Sequence, residues 1–312
     1  MAYPIKIKIR EVAPRDGFQS WPDFVPTEQK IAVITALMEA GVSEIEATSF
    51  VSPKAIPQMR DAAAVMAALP RSGCVRCALV PNLKGAQLAL EAGTDEIGVF
   101  ISATEAHNMA NVRRTVSDSL RDLRGIFDLA KDRDVPVIGA VAVSFGCPYE
   151  GDVSEESVLR VAEAYLEGGA AAVILADTTG MATPPRVEYL VGRFQQRFPQ
   201  AAFGLHLHNN RGTAMTNLYT ALRSGVTMFD TALGGIGGCP NVPQAAGNLP
   251  TEDVVYMLED MGFDTGIDLI ALIKAAQFLE TVLGRTLPGQ VMKSGPREPE
   301  LAAEVCGVDH TI

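Results

Sequence analysis

Two histidines stand two residues apart in the run His206-Leu207-His208-Asn209-Asn210, and the whole chain of 312 residues holds only four. On a strand, residues i and i+2 point to one face, so both imidazoles are aimed the same way. Two readings are open: a pair of polar strand-end residues, or two ligands of a metal ion. Two imidazoles alone do not name the metal. If Asp16 and Asn248 join them, the set is mixed nitrogen and oxygen with no thiolate. Such a set favours a hard ion, Mg2+ or Mn2+, over structural zinc. Arg15 beside Asp16 is either a surface ion-pair partner or a cation at a strand end, placed to stabilise an oxyanion. The run Gly234-Gly235-Ile236-Gly237-Gly238-Cys239-Pro240 is either a turn that needs glycine for its backbone angles or a mobile lid that carries Cys239 into a site. Glu46 and Asp177 complete the chemistry-bearing residues near expected strand ends.

These residues need a scaffold, and one local pattern recurs that supplies it. A helical apolar stripe ends in glycine and a β-rich run follows, as at Gly41, Gly93, Gly169 and Gly225. Glycine takes the left-handed conformation after a helix without a Cβ clash, so the chain can turn quickly into a strand. Strands are expected near Ile5–Val12, Glu44–Thr48, Val75–Val80, Glu96–Ile101, Pro136–Val143, Ala172–Ala176, Ala202–His206 and Met228–Ala232. Helical stripes such as Thr27–Ala40 and Glu155–Glu167 separate them. Eight strands alternating with helices predict an α/β protein, a single (β/α)8 TIM barrel. The rival is an open doubly wound sheet, but no GxGxxG follows the first strand. More helix is expected over about Ile267–Leu283, so residues 1–287 form the barrel with extra C-terminal helices. Residues 288–312, rich in Gly, Pro and charge, are expected as a tail. In a barrel of this kind chemistry collects at the C-terminal strand ends, which is where Arg15, Asp16, Asp177, His206 and His208 fall.

Composition narrows the function classes. A hydrophobic share of 47% with 20% charged residues supports a sizeable core. A net charge of −11 gives no global positive field for nucleic acid, though a local basic patch for a phosphate ligand stays compatible with it. No apolar run is long enough to span a membrane and no secretory or transit segment opens the chain, so a cytoplasmic protein is expected. The five cysteines include a single CxxC, Cys74-Val75-Arg76-Cys77, which leads into an apolar run and is read as two ordinary strand cysteines.

Taken together, the motifs resemble those of the HMG-CoA lyases, within a wider group of metal-dependent barrels that includes isopropylmalate and homocitrate synthases. The resemblance covers Ile5 to Leu283. It rests on Pro14-Arg15-Asp16-Gly17, Ile45 through Lys54, Pro81 through Gly85, Gly146-Cys147-Pro148-Tyr149-Glu150-Gly151, Ala176-Asp177-Thr178, the His206/His208 pair, and Gly237-Gly238-Cys239-Pro240 through Asn248. It implies a retro-Claisen cleavage of 3-hydroxy-3-methylglutaryl-CoA to acetyl-CoA and acetoacetate, with a divalent cation and no organic cofactor. By the same resemblance, Asp16, His206, His208 and Asn248 would hold the cation. Arg15 would stabilise the enolate oxygen, Cys239 would transfer a proton at the acetyl-CoA carbon, and Glu46 and Asp177 would join the acid/base work, with a His or Asp as the base. A homodimer or higher homo-oligomer is also implied, with the helices beyond Ile267 either capping one barrel end or forming the dimer interface.

The chain departs from the family in three places. After Gly17 the family runs Leu-Gln-Asn-Glu-Lys, whereas this chain has Phe18-Gln19-Ser20-Trp21-Pro22, with its only Trp. On the fifth strand Ile138-Gly139-Ala140 stands where the family often has Arg-Gly-Tyr, and Asn209-Asn210 where it has Asp-Thr. These changes leave a related substrate open, either citramalyl-CoA or a longer 3-hydroxy-3-alkylglutaryl-CoA. Three rivals from other classes are weaker. A condensing synthase normally carries further C-terminal regions. A zinc hydrolase usually needs more His, with its pair on the first strand. A silent binding protein has no need of a full ligand set.

Overall fold

All four glycines of the recurring pattern take a left-handed backbone, at φ of 90° for Gly41, 75° for Gly93, 92° for Gly169 and 86° for Gly225. A side chain there would be strained, and its absence lets each helix hand over to the next strand within a few residues. Helix starts are fixed as locally. Ser154 accepts from Ser157 N at 3.2 Å to open the helix Glu155–Gly168, and Asn82 accepts from Gly85 N at 3.0 Å to open Leu83–Glu91.

The computed structural model describes residues 5–71, 73–238 and 247–307. Eight parallel strands close into a barrel in sequence order: β1 (Lys8–Glu11), β2 (Glu44–Ser49), β3 (Val75–Leu79), β4 (Glu96–Ser102), β5 (Val137–Ala142), β6 (Ala172–Asp177), β7 (Phe203–Leu207) and β8 (Met228–Thr231). Strand β8 pairs back with β1 and closes the ring. Helices between the strands cover the barrel, so the chain is the (β/α)8 TIM barrel that its rhythm predicts. The strands fall within about three residues of expectation. The largest difference is at β1, which begins at Lys8 because β8 offers its first partner only at Met228. Before it, Ile7 N donates to Asp264 O at 2.9 Å instead.

Outward-facing strand residues and the helices share one large core, which includes Ile9, Ile45, Leu175, Leu205 and Phe229. The barrel interior is divided. On β5 and β6, Ile138, Ala172 and Ile174 form a small apolar plug. On β1, β2, β4 and β8 the inward positions carry Arg10, Glu44, Glu96 and Asp230, all buried.

Past Pro288, where composition predicts a tail, the chain forms two short helices, Val291–Ser294 and Pro299–Cys306. Val291, Met292, Ala302 and Val305 are buried, and Gln277 Nε2 donates to both Met292 O and Val305 O at 2.9 Å. Gly, Pro and charge mark the turns of this segment; four well-spaced apolar residues are enough to dock it.

Two buried acids fix the exit from β8. Glu11 accepts from Ala13 N at 2.8 Å, Leu233 N at 2.9 Å and Thr251 Oγ1 at 2.6 Å. Glu252 accepts from Gly234 N at 3.0 Å. Burial pushes their carboxyls up, Glu11 to about 7 and Glu252 to about 8, against the pull of these hydrogen bonds. A folded-state pKa above the unfolded value means the native state keeps the proton longer, so stability falls as pH rises through that window. The melting temperature of the protein should therefore fall between about pH 5 and pH 8. The Glu252→Gln variant should lose several degrees less over the same range; parallel curves for the two proteins would show that Glu252 is not the titrating group.

Candidate active site

Register places the site. His206 on β7 pairs level with Asp230 on β8, and Asp230 level with Arg10 on β1. Side chains alternate along a strand, so His206 and His208 both face inward at the C-terminal end of β7. Strand β1 runs on into a single π-helical turn, Ala13–Gly17, which carries Arg15 and Asp16. Such turns recur at functional sites, and no sequence signal used above distinguishes one from an ordinary strand-end loop. Asn248 arrives from far along the chain. An isolated antiparallel bridge sets it beside His208, with Asn209 N donating to Gly247 O at 3.1 Å.

The four expected cation ligands thus come together. One ligand atom from each of Asp16, His206 and His208 lies within 4.8 Å of the others. His206 Nε2 and His208 Nε2 are 2.8 Å apart, and His208 Nε2 is 3.9 Å from Asp16 Oδ2. Asn248 Nδ2 donates to Asp16 Oδ2 at 2.7 Å and to Ile236 O at 3.1 Å. Arg15 joins the cluster to Glu46: its Nε donates to Glu46 Oε2 at 2.5 Å and its Nη1 to Asp16 Oδ1 at 2.7 Å. Asp177 stands apart from this hydrogen-bonded group. Its Oδ1 accepts from Met181 N at 2.7 Å and Ala182 N at 3.0 Å, and it reaches His206 through charge. Cys239 lies outside the described residues.

Charge states follow from burial and neighbours. Burial works against the Asp16 anion, but Arg15, His206 and His208 outweigh it and hold the carboxyl below its usual range. Burial also works against the His206 imidazolium, and here the Asp230 hydrogen bond and charge win, raising its pKa. His208 is pushed down to about 3 by burial and by the charge of His206, so it is neutral with a lone pair to give. Asp177 is pushed up to about 6, chiefly by burial.

The donor set fits a divalent cation. Asn248 Oδ1 and His208 Nδ1 are buried with no hydrogen-bond partner among the described residues. A buried unsatisfied polar atom is costly, and a cation beside Asn248 would remove that cost at the amide oxygen. The facing Nε2 atoms of His206 and His208, next to an Asp16 anion, make a mixed nitrogen-and-oxygen set with no thiolate, one that suits a divalent cation.

Motif-based reasoning passes over Arg10 and Asp230. The signal was available: both are charged residues inside strands that the fold must bury, and a buried charge needs a partner. Cys77, in β3, is buried and Cys74 is half-buried just before it; both are free thiols.

The profile of the HMGL-like family matches residues 6–279. The chain belongs to the HMGL-like family. Hydroxymethylglutaryl-CoA lyase of Bacillus subtilis is 45% identical over 298 residues, 94% of this chain and 100% of that protein. (R)-citramalyl-CoA lyase of Chloroflexus aurantiacus is 41% identical over 309 residues, 95% of this chain and 97% of that one. A solved HMG-CoA lyase from Acenitobacter baumannii, in complex with coenzyme A and 3-methylmalate, superposes with a TM-score of 0.89 at 43% identity, covering 94% of this chain and 96% of that one.

The departures from the HMG-CoA lyase motifs have definite places in the structure. Ile138 joins the apolar plug, and Ala140 is packed against it. Gly139 is required on the outer face, where a Cβ would run into the Tyr165 ring. Trp21 is partly buried beside the π-helical turn, with the Arg285 guanidinium 5.4 Å from its ring centroid. Asn209 and Asn210 brace loops: Asn209 Oδ1 accepts from Ala214 N at 3.2 Å, and Asn210 Nδ2 donates to Thr179 O at 3.2 Å.

Gly237 packs directly against two of the expected cation ligands. Its φ is 103°, and a Cβ there would sit 2.5 Å from Asn248 Nδ2 and 2.8 Å from Asp16 Oδ2. Gly237→Ala should therefore displace both side chains, at a strain cost of order 1–3 kcal/mol, and weaken Mn2+ binding at least tenfold. Calorimetric titration with Mn2+ checks this; an unchanged affinity would mean the backbone can yield without moving the ligands.

Proposed function

We propose that this protein cleaves 3-hydroxy-3-methylglutaryl-CoA to acetyl-CoA and acetoacetate by a divalent-metal-dependent retro-Claisen reaction. The observation that carries the reading is the shared carboxylate of Asp16. Its Oδ2 faces the imidazole and Asn248 side of the cluster, and its Oδ1 binds Arg15. One residue therefore sets the cation ligands and the oxyanion-stabilising guanidinium in fixed relation, as a 3-hydroxyacyl thioester needs. The similarity to hydroxymethylglutaryl-CoA lyase over nearly the full length supports the same substrate.

In this reading Asp16, His206, His208 and Asn248 hold Mg2+ or Mn2+. A cation held by these four residues would supply Lewis acidity to the substrate's oxygens. Asp177 takes the hydroxyl proton: its Oδ2 is buried without a hydrogen-bond partner among the described residues, and its pKa near 6 keeps it basic at neutral pH. Breaking the C2–C3 bond then leaves its electron pair on C2, delocalised onto the thioester oxygen as an enolate. Arg15 meets that charge. With Nε and one Nη1 proton committed to Glu46 and Asp16, the second Nη1 proton and the two on Nη2 are the donors left for substrate among the contacts of the described residues. Glu46 holds the guanidinium plane. Cys239 protonates C2 to release acetyl-CoA.

No helix of the described residues is long and apolar enough to cross a membrane. The proposal further includes no nucleic-acid partner, a cytoplasmic location, no organic cofactor, and a homodimer or higher homo-oligomer built on the helices beyond Ile267.

A second reading has an observation of its own. Ile138 and Ala140 leave the β5 wall apolar where the family often has Arg and Tyr, and the citramalyl-CoA lyase is 41% identical. Losing a charged partner for the far carboxylate would favour a different acyl group, citramalyl-CoA giving acetyl-CoA and pyruvate, or a longer 3-hydroxy-3-alkylglutaryl-CoA.

Acetyl-CoA release from 3-hydroxy-3-methylglutaryl-CoA and from citramalyl-CoA, measured side by side with Mg2+ or Mn2+, tests both. The expected result is faster release from the former, abolished by chelation and restored by added metal. Arg15→Gln should lower kcat by about 10²–10³ with little change in KM. Faster turnover of citramalyl-CoA would move the assignment to the second reading, and metal-independent turnover of either would sink the mechanism.

A further inference from the structure

The two oxygens of Asp230 are divided between two buried neighbours. Oδ1 accepts from Arg10 Nη1 at 3.0 Å, and Oδ2 lies 3.2 Å from His206 Nδ1. Arg10, Asp230 and His206 are each no more than 8% exposed. Arg10 is held in turn from the other side, by Glu44 through Nε and by Glu96 Oε1 at 3.5 Å through Nη2. The parallel register of β1, β8 and β7 sets the three residues side by side.

We propose that Asp230, fixed by Arg10, is a positioning residue that keeps His206 in its Nδ1–H form, with the Nε2 lone pair turned toward the cation site. The proposal rests on the reading of Asp16, His206, His208 and Asn248 as cation ligands.

An imidazole binds a cation through a lone pair, so a neutral ring must carry its proton on the other nitrogen. A carboxylate at Nδ1 accepts that proton's hydrogen bond and settles which nitrogen is bare. Arg10 adds two effects. It supplies the positive charge that keeps a buried Asp230 ionised, and it occupies Oδ1 so that the carboxylate cannot swing into the cation site as an extra ligand. Only a carboxylate can serve both neighbours, because each of them presents a donor and Asp230 has two acceptor oxygens. An amide in its place has one oxygen and one NH2 group. In Asp230→Asn, either Arg10 or His206 must face that NH2. If it is His206, Nδ1 becomes an acceptor, the proton moves to Nε2, and the lone pair needed by the cation is lost. The variant has nearly the same shape, so a purely steric role for Asp230 would leave cation binding unchanged.

The test pairs nitrogen-15 histidine NMR of the metal-free protein, at a pH where the rings are neutral, with calorimetric titration of Mn2+. The His206 signals are assigned by their loss in His206→Ala. The wild type should show His206 protonated at Nδ1 and bare at Nε2. Asp230→Asn should shift that proton to Nε2 and weaken Mn2+ binding by about 10–100-fold. A wild type that carries the proton on Nε2 overturns the proposal, and so does a folded Asp230→Asn that binds Mn2+ as tightly as the wild type. If the variant does not fold, the wild-type tautomer decides the matter alone. A wild type that binds no Mn2+ overturns the proposal together with the cation-site reading beneath it, which separates that failure from the others.

Discussion

Arg10 sits at 3% exposure among three carboxylates, those of Glu44, Glu96 and Asp230. Barrel interiors of this fold are ordinarily filled by layers of branched apolar side chains. Here only the β5 and β6 side follows that pattern. The other side is filled by a chain of opposite charges that runs from Glu44 and Glu96 through Arg10 and Asp230 to His206. Buried charges cost several kcal/mol each unless they are paired, so every member depends on the next. That dependence makes the interior rigid, and the rigid interior is the floor on which the site is built.

The site inherits an excess of negative charge from this floor. Among the described residues, Asp16 and Glu46 pair with Arg15, and Asp230 pairs with Arg10. A divalent cation at Asp16, His206, His208 and Asn248 therefore meets favourable electrostatics as well as suitable ligands. Asp16 ties that position to Arg15, which Glu46 holds from the opposite side. In the proposed reaction, one side chain would thus set Lewis acidity and enolate stabilisation at a fixed spacing. This preorganisation is what lets electrostatics lower a barrier without reorganisation at the moment of reaction.

The rim depends on backbone more than on side chains. Gly237 lets the segment after β8 pass against Asp16 and Asn248, and Gly247 N-terminal to Asn248 lies against the carbonyls of Gly235 and Gly237. Glu11 and Glu252 hold the start of this segment from outside the barrel. The C-terminal residues close the arrangement: a Cβ on Gly234 would meet Leu287, and one on Gly235 would meet Pro250 and Pro288. The chain beyond Leu283 is therefore part of what positions the site.

Sequence alone determined the barrel, because glycine-ended helices and β-rich runs are local signals repeated along the chain, and backbone sterics act locally. It also determined the chemistry-bearing residues Arg15, Asp16, Glu46, Asp177, His206, His208, Cys239 and Asn248 as candidates, since their motifs are contiguous and sit at strand ends. Tertiary structure decided the rest. The π-helical turn under Arg15 and Asp16 depends on contacts with β2, and the folding of the segment past Pro288 depends on Gln277 and Asp253 far from it in sequence. The pairing of Asp230 with both Arg10 and His206 joins residues 220 and 24 positions apart. No local pattern encodes such a contact. It exists because barrel closure brings the last strand against the first, and a buried charge must then take whichever opposite charge the register sets beside it.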